Sequence, residues 1–353
     1  MAGVMFECLK GILNMVKKLP EIKNSCADIY NLIKVNVQSN LLISAIKWKI
    51  FDYLVESVSA QTVAEKLQFH PRNTELFLNA LAGMELIQKN NGMFSNTEKS
   101  AEFLVSTKSE YLGSFFLHVH KWREQFGSNI ETLIENGPPD KMDTNMTDGL
   151  IWAESVRLAA AYHYCGPTQY ITKIISSLPE FSSMKKMLDL GGGSGIYTIS
   201  IVSAHPEMKG VVFEQSPVAA VTREFIRQYD AKDRVAVIEG DYITDSIVDS
   251  YDLIFASATL NFFKDHFDEL FRKIYDALNP GGVFITHQEG VKDERTKPAY
   301  HVSEFLSAEL HGADLAIPQG MIADSMLQSG FKSVRSFTQQ FDFGDMDIDI
   351  GRK

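Results

Sequence analysis

The chain has 353 residues, 45% of them hydrophobic and 22% charged, with a formal net charge of −11 at pH 7. That length and apolar content suit two globular domains, and no apolar run reaches bilayer-spanning length, because charges interrupt even the richest segments. The acidic balance argues against nucleic acid as a partner, since such affinity comes largely from cationic neutralisation of phosphates, and no membrane partner is expected.

The first twenty residues place Phe6, Leu9, Ile12, Leu13, Val16 and Leu19 beside Lys10, Lys17 and Lys18. This reads as a docking helix ended by Pro20 rather than a signal peptide, since no small-residue cleavage site follows. Residues 41–54 carry apolar side chains at helical spacing. Ser59 is placed to cap a helix through Leu67, Asn73 sits near the start of another through Leu86, and residues 92–97 read as the wing of a winged helix. Such a unit binds DNA in repressors, which makes a ligand-sensing regulator the rival function class. The recognition segment over 71–81 carries one Arg and one Glu, too little charge to grip a backbone. Cys8, Cys26 and Cys165 are scattered without CxxC spacing, which reads as free thiols in a reducing cytoplasm.

A polar, proline-containing loop follows at 137–145, then a helix over 151–164. The aromatics of this helix, and Phe115, Phe116, His118, His120 and Trp122 in the preceding one, have the spacing of core residues as well as of a pocket wall.

The sequence Met187-Leu-Asp-Leu-Gly-Gly-Gly-Ser-Gly195 is an apolar strand that ends in an acid and enters a glycine loop. Gly191, Gly193 and Gly195 allow a tight turn and close approach of a ligand. A lone glycine loop is equally a plain strand-to-helix turn, but three further segments give it company. Residues 210–213 end in Glu214, an acid able to accept both hydroxyls of a ribose. Residues 235–238 lead to Gly240-Asp241-Tyr242, a carboxylate for an adenine amino group and an aromatic to cover the ring. Residues 251–255 form a fourth strand and 278–286 a turn into a fifth. Ligands of open α/β sheets bind outside the carboxyl ends of the strands, so Asp189, Glu214, Asp241 and the segment starting at Ser257 converge on one crevice.

These residues resemble the class I S-adenosylmethionine (SAM)-dependent methyltransferases, whose first motif is an acid followed by GxGxG. Dinucleotide dehydrogenases use GxGxxG, and Ile196 stands where their last glycine would fall. The whole order is similar to the small-molecule O-methyltransferases of the caffeate and acetylserotonin type, with bacterial relatives that include bacteriochlorophyll C-methyltransferases. The resemblance implies an α/β protein with a Rossmann-like methyltransferase sheet and an N-terminal winged-helix-like helical dimerisation domain. It implies a dimerisation domain over 1–105, a helical connector contributing to the substrate pocket over 106–175, and a SAM-binding domain over 176–353. The implied protein is a cytoplasmic homodimeric enzyme that moves a methyl group from SAM to a small organic acceptor, foremost to oxygen. Asp189, Gly191, Gly193, Gly195, Glu214, Asp241, Tyr242 and Ser257 would hold the cofactor, and Trp152, Val156, His163 and His311 would line the acceptor site beside Tyr162, without a metal.

The family's base is a His after the fourth strand, where this chain has Asn261, and an amide is no general base near neutral pH. The family's auxiliary acid falls near Ala316, with Asp314 the acid beside it. His287, with Gln288 and Glu289 at the end of the fifth strand, is expected to face the crevice as base or substrate ligand, and His266 to cap a helix or face solvent. His163, His301 and His311 fall in segments that the family uses for substrate contacts. A thiolate or activated carbon needs no base, which keeps S- or C-methylation open. Residues 345–351 superficially resemble a calcium loop, but the alternation of Met346, Ile348 and Ile350 reads as an edge strand.

Overall fold

The computed structural model describes residues 19–139, 149–341 and 344–353. The docking helix expected at the N-terminus and much of the 137–145 loop lie outside these described residues. Helix α1 (Ala27–Lys47) does not run on through residue 54. Lys49 takes a left-handed conformation, and a 3-10 turn (Ile50–Leu54) follows. The break has a packing reason: Trp48 sits edge-on to Phe69 and Phe77, at 5.0 and 5.4 Å, while the turn sends Ile50, Phe51 and Leu54 into the core beneath.

Strand β1 (Val58–Ser59) leads into α2 (Ala60–Leu67), where the Ser59 hydroxyl accepts the Thr62 N–H at 3.1 Å, a cap worth about 1 kcal/mol. Helix α3 (Pro71–Gly83) stops short of Leu86, and the hairpin of β2 (Ile87–Asn90) and β3 (Met93–Asn96) supplies the wing, with β1 as its third strand. After α4 (Glu98–Phe103), the long helices α5 (Gly113–Asn136), α6 (Gly149–Cys165) and α7 (Pro167–Ser176) cross to the second unit.

That unit alternates strand and helix: β4 (Lys186–Leu190), α8 (Ile196–Ser203), β5 (Lys209–Glu214), α9 (Ser216–Gln228), β6 (Val235–Glu239), β7 (Tyr251–Ser257), α10 (Phe267–Ala277) and β8 (Leu278–Gln288). The short β9 (Gly290–Val291) pairs with β10 (Ile317–Pro318), between which lies α11 (Ala299–Leu310); α12 (Met321–Gln328), β11 (Ser333–Gln339) and β12 (Met346–Arg352) complete the chain. The seven-stranded sheet has the order β11-β12-β8-β7-β4-β5-β6, parallel from β8 to β6 and antiparallel at β12 and β11. Near-continuous burial of β4, β5 and β7 explains their unbroken apolar runs. The sheet is packed on both faces, one core running through Ile171, Tyr197, Phe255 and Ile285, the other through Leu188, Ile254, Phe271 and Phe284.

Strand β12 is not an edge strand. It pairs with β8 along one side and with β11 along the other, so Ile348 and Ile350 are buried, and Asp347 and Asp349 with them. Inside the sheet, Asp347 Oδ1 accepts from the Thr338 hydroxyl at 2.7 Å and from Gln319 Nε2 at 3.0 Å. Strand order reverses between β4 and β7, one neighbour of β4 leading outward to β6 and the other to β8. The crevice opens at that switch point. Among the described residues, no helix is long and apolar enough to cross a membrane.

Candidate active site

At the carboxyl end of β4 the chain turns through Gly191, Gly193 and Gly195 at φ of 61°, 56° and 75°, a region L side chains rarely adopt. Space is short as well: a Cβ on Gly191 would run into the Thr259 hydroxyl and one on Gly192 into the Asp189 carboxyl. Ala258, itself left-handed, turns the chain at the end of β7 and so brings Thr259 against the loop.

Glu214 closes β5 beside this loop. Its Oε2 accepts the Gly193 N–H at 3.0 Å and its Oε1 the Gln215 N–H at 2.8 Å. Burial raises its pKa and those two donors partly offset the rise. Each oxygen keeps a lone pair for a ligand hydroxyl, so the loop and Glu214 fit the ribose of an adenosyl cofactor. Asp189 lies beneath them, 1% exposed, and accepts the Thr198 hydroxyl at 2.6 Å; burial pushes its pKa up to about 7. It braces the first turn of α8 against the loop. Asp241 is exposed past β6 and accepts the Ile243 N–H at 2.9 Å, leaving carboxyl surface open to the crevice rim. The Tyr242 ring lies in the core, edge-on to Phe213 and Phe263, and its hydroxyl meets that of Thr259 at 2.6 Å.

Ser257, His287, His163 and Tyr197 form a polar cluster beneath α6. His287 Nδ1 and Ser257 Oγ are 2.8 Å apart across the β7–β8 pair, and Ser257 also bonds the Tyr197 phenol. The His287 ring is 3% exposed, flanked by Tyr197 at 6.1 Å and Phe341 at 5.6 Å, and its Nε2 has no partner among the described residues. Burial, helped by His163, pushes His287 down to about 3, and burial alone takes His163 to about 4. Both imidazoles are therefore neutral at physiological pH. His287 stands at the carboxyl end of its strand, buried with the rings of Tyr197 and Phe341 against its own. Tyr197, which sequence reasoning missed, stands two positions past the last loop glycine; that position was its only signal.

Above the loop, Val156 of α6 touches the space next to Gly193, and Trp152 sits edge-on to Phe262 at 5.8 Å. Phe115 of α5 stacks on Tyr162 at 4.9 Å. Asn261 is buried in the 3-10 turn after β7 (Leu260–His266), its Oδ1 without a partner among the described residues.

Other candidates are engaged elsewhere. His311 Nδ1 bonds the Ser307 carbonyl of its own helix at 2.7 Å, and His301 fastens α11 to the Asp345 carbonyl at 2.6 Å. His266 is exposed. His118 meets the Ser155 hydroxyl, and His120 pairs with Glu124. Asp314 is ion-paired with Lys264 and Arg295, and Lys264 foremost holds its carboxyl below the usual range. That pairing leaves it no auxiliary acid–base part.

Comparison with known proteins gives this geometry a context. Residues 30–106 match the O-methyltransferase dimerisation domain and residues 168–311 the O-methyltransferase domain. An uncharacterized protein of Methanocaldococcus jannaschii is 29% identical over 72% of this chain and 68% of its own length. The S-adenosyl-L-methionine-dependent methyl transferase PigF of a Serratia species is 24% identical over 87% of this chain and 91% of its own. The fold matches human N-acetylserotonin methyltransferase, solved in complex with SAM, with a TM-score of 0.74 at 17% identity over 95% of this chain and 99% of that one.

Proposed function

The chain belongs to the family of SAM-dependent O-methyltransferases and transfers the methyl group of that cofactor to a small acceptor; from that premise we propose that the atom methylated is a hydroxyl oxygen. The observation that carries this reading is the unpartnered Nε2 of a neutral, buried imidazole at the end of β8. With Nδ1–H donating to Ser257, Nε2 is left as an acceptor suited to a hydroxyl hydrogen.

Methyl transfer from a sulfonium is an in-line displacement, so the protein must align the two partners and let a proton leave. SAM supplies the activated methyl group. Asp189, the three glycines, Glu214 and Asp241 hold it, Tyr242 and Ser257 support that wall from behind, and Trp152, Val156 and His163 bound the acceptor side. His311, tied to its own helix, belongs at most to the outer rim. A pKa of about 3 makes His287 a weak base. It therefore orients the hydroxyl and accepts its proton only as the methyl group arrives, with Asn261 fixing the acceptor from the opposite wall.

A second reading, transfer to sulfur or carbon, is favoured by two observations: Asn261 occupies the base position, and both nearby histidines have depressed basicity. Turnover of methyl-labelled SAM with a phenol and a thiol panel separates the two. On a hydroxyl acceptor, His287→Ala should abolish turnover with SAM affinity intact, Asn261→Ala should cost only a few-fold, and no pH limb should fall near the usual His pKa of ~6.5. A His287→Ala enzyme with unchanged turnover at every pH would remove His287 from this role and favour the second reading.

We also read the chain as a homodimer of the reducing cytoplasm, divided at about residues 105 and 175. Exposed apolar residues on α1 and the free thiols of Cys26 and Cys165 support this reading.

A further inference from the structure

Glu289 follows directly on β8, two residues past His287, and has no part in the account above. Its Oε2 accepts from Gln288 Nε2 at 2.7 Å, and among the described residues no Lys, Arg or His forms an ion pair with it. His287, two residues back, and His163 beside it cannot supply the missing charge, since burial keeps both neutral.

Phenols from three helices lie near this carboxyl. Tyr162 of α6, Tyr197 of α8 and Tyr300 of α11 all lie within range of its charge, which adds to burial in raising each phenol. Phe115 of α5 stacks behind Tyr162. The other nearby acid, Glu304, is already paired with Arg123 at 2.8 Å. Glu289 is thus a single carboxyl without an ion-pair partner among the described residues, half-buried just past the carboxyl end of β8, with phenols from three helices within range of its charge. Such a group is costly to keep charged unless a cation joins it, and aromatic faces attract cations as well.

We propose that this carboxyl and its tyrosines form a subsite for a positively charged group on the acceptor, so that the acceptor is a small aromatic compound bearing an ammonium or other protonated nitrogen. The proposal rests on the methyltransferase reading above and names the acceptor's chemical class within it. An acceptor carboxylate meets repulsion at the same place, which gives the site discrimination by charge as well as by shape. The methylated atom lies away from the charged nitrogen, towards His287.

Calorimetric titration of the full chain, saturated with S-adenosylhomocysteine at pH 7, tests this with three probes of similar shape: tyramine, 4-ethylphenol and 3-(4-hydroxyphenyl)propionate. Tyramine should bind at least about tenfold more tightly than 4-ethylphenol, and the propionate more weakly than either. Glu289→Gln, which preserves shape and the hydrogen bond to Gln288, should erase the tyramine advantage and leave the affinities for S-adenosylhomocysteine and 4-ethylphenol unchanged. Tyramine binding that is undetectable, no tighter than that of 4-ethylphenol, or still favoured in Glu289→Gln overturns the proposal. A Glu289→Gln chain that loses affinity for SAM but not for S-adenosylhomocysteine would also overturn it, because the cation served would then be the sulfonium. Failure of the wild-type chain to bind S-adenosylhomocysteine would instead strike the cofactor reading and this proposal with it.

Discussion

Asp189 illustrates how a single buried group can serve a site at the expense of stability. Its carboxyl is sealed under the glycine loop with the Thr198 hydroxyl as its bonded partner, and burial lifts its pKa from 3.8 to about 7. A folded-state pKa above the unfolded value means that the native form holds the proton more tightly, so stability is greatest below about pH 4 and declines as pH rises towards 7. Asp189→Asn removes that titration. Its melting temperature should exceed that of the ligand-free wild type by about 3 °C or more at pH 8, and the gap should narrow as pH falls and close only at about pH 4. Parallel melting curves across this range would show that Asp189 does not carry the titration. His163 and His287 have the opposite shift: both are held neutral, and each opposes folding only once the pH falls below the ordinary His range.

At the scale of elements, the parallel strands were the most legible part of the chain, because strands buried on both faces leave unbroken apolar runs and each ends in a polar residue at the crevice. Glu214 and the glycines could be read directly from that punctuation. Tyr242 was expected to cover an adenine ring, but an aromatic just past a strand gives no sign of which side of the turn it enters; here it points into the core towards Thr259. The misreading of β12 as an edge arose from its alternating acids, which look solvated until Thr338, Gln319 and Thr286 are seen to serve them. The continuity expected over 41–54 failed because helical spacing cannot register a left-handed residue such as Lys49. His287 and Glu289 could be located at the end of their strand, but the rings against His287, Tyr197 of α8 and Phe341 past β11, come from segments distant in sequence.

At the scale of the molecule, α1 leaves Ile29, Leu32, Ile33 and Val37 exposed on a single chain, Leu32 at 75% and Ile33 at 69%. Apolar surface in such a run marks an interface, and its place within the O-methyltransferase dimerisation domain points to a second copy. Sedimentation should therefore find a dimer, and the double variant Leu32→Glu, Ile33→Glu should sediment as a monomer; a wild-type monomer at micromolar concentration would contradict the homodimer. The account as a whole turns on the crevice between β4 and β7 as the cofactor's seat. The most direct test is calorimetric titration of S-adenosylhomocysteine into the wild type, Gly193→Val and Glu214→Ala. The account predicts saturable binding of one molecule per chain, weakened at least about tenfold in both variants, since one fills the loop and the other removes the ribose acceptor and the support of the Gly193 N–H. Undiminished binding in Glu214→Ala, or binding of NAD in place of S-adenosylhomocysteine, would contradict it.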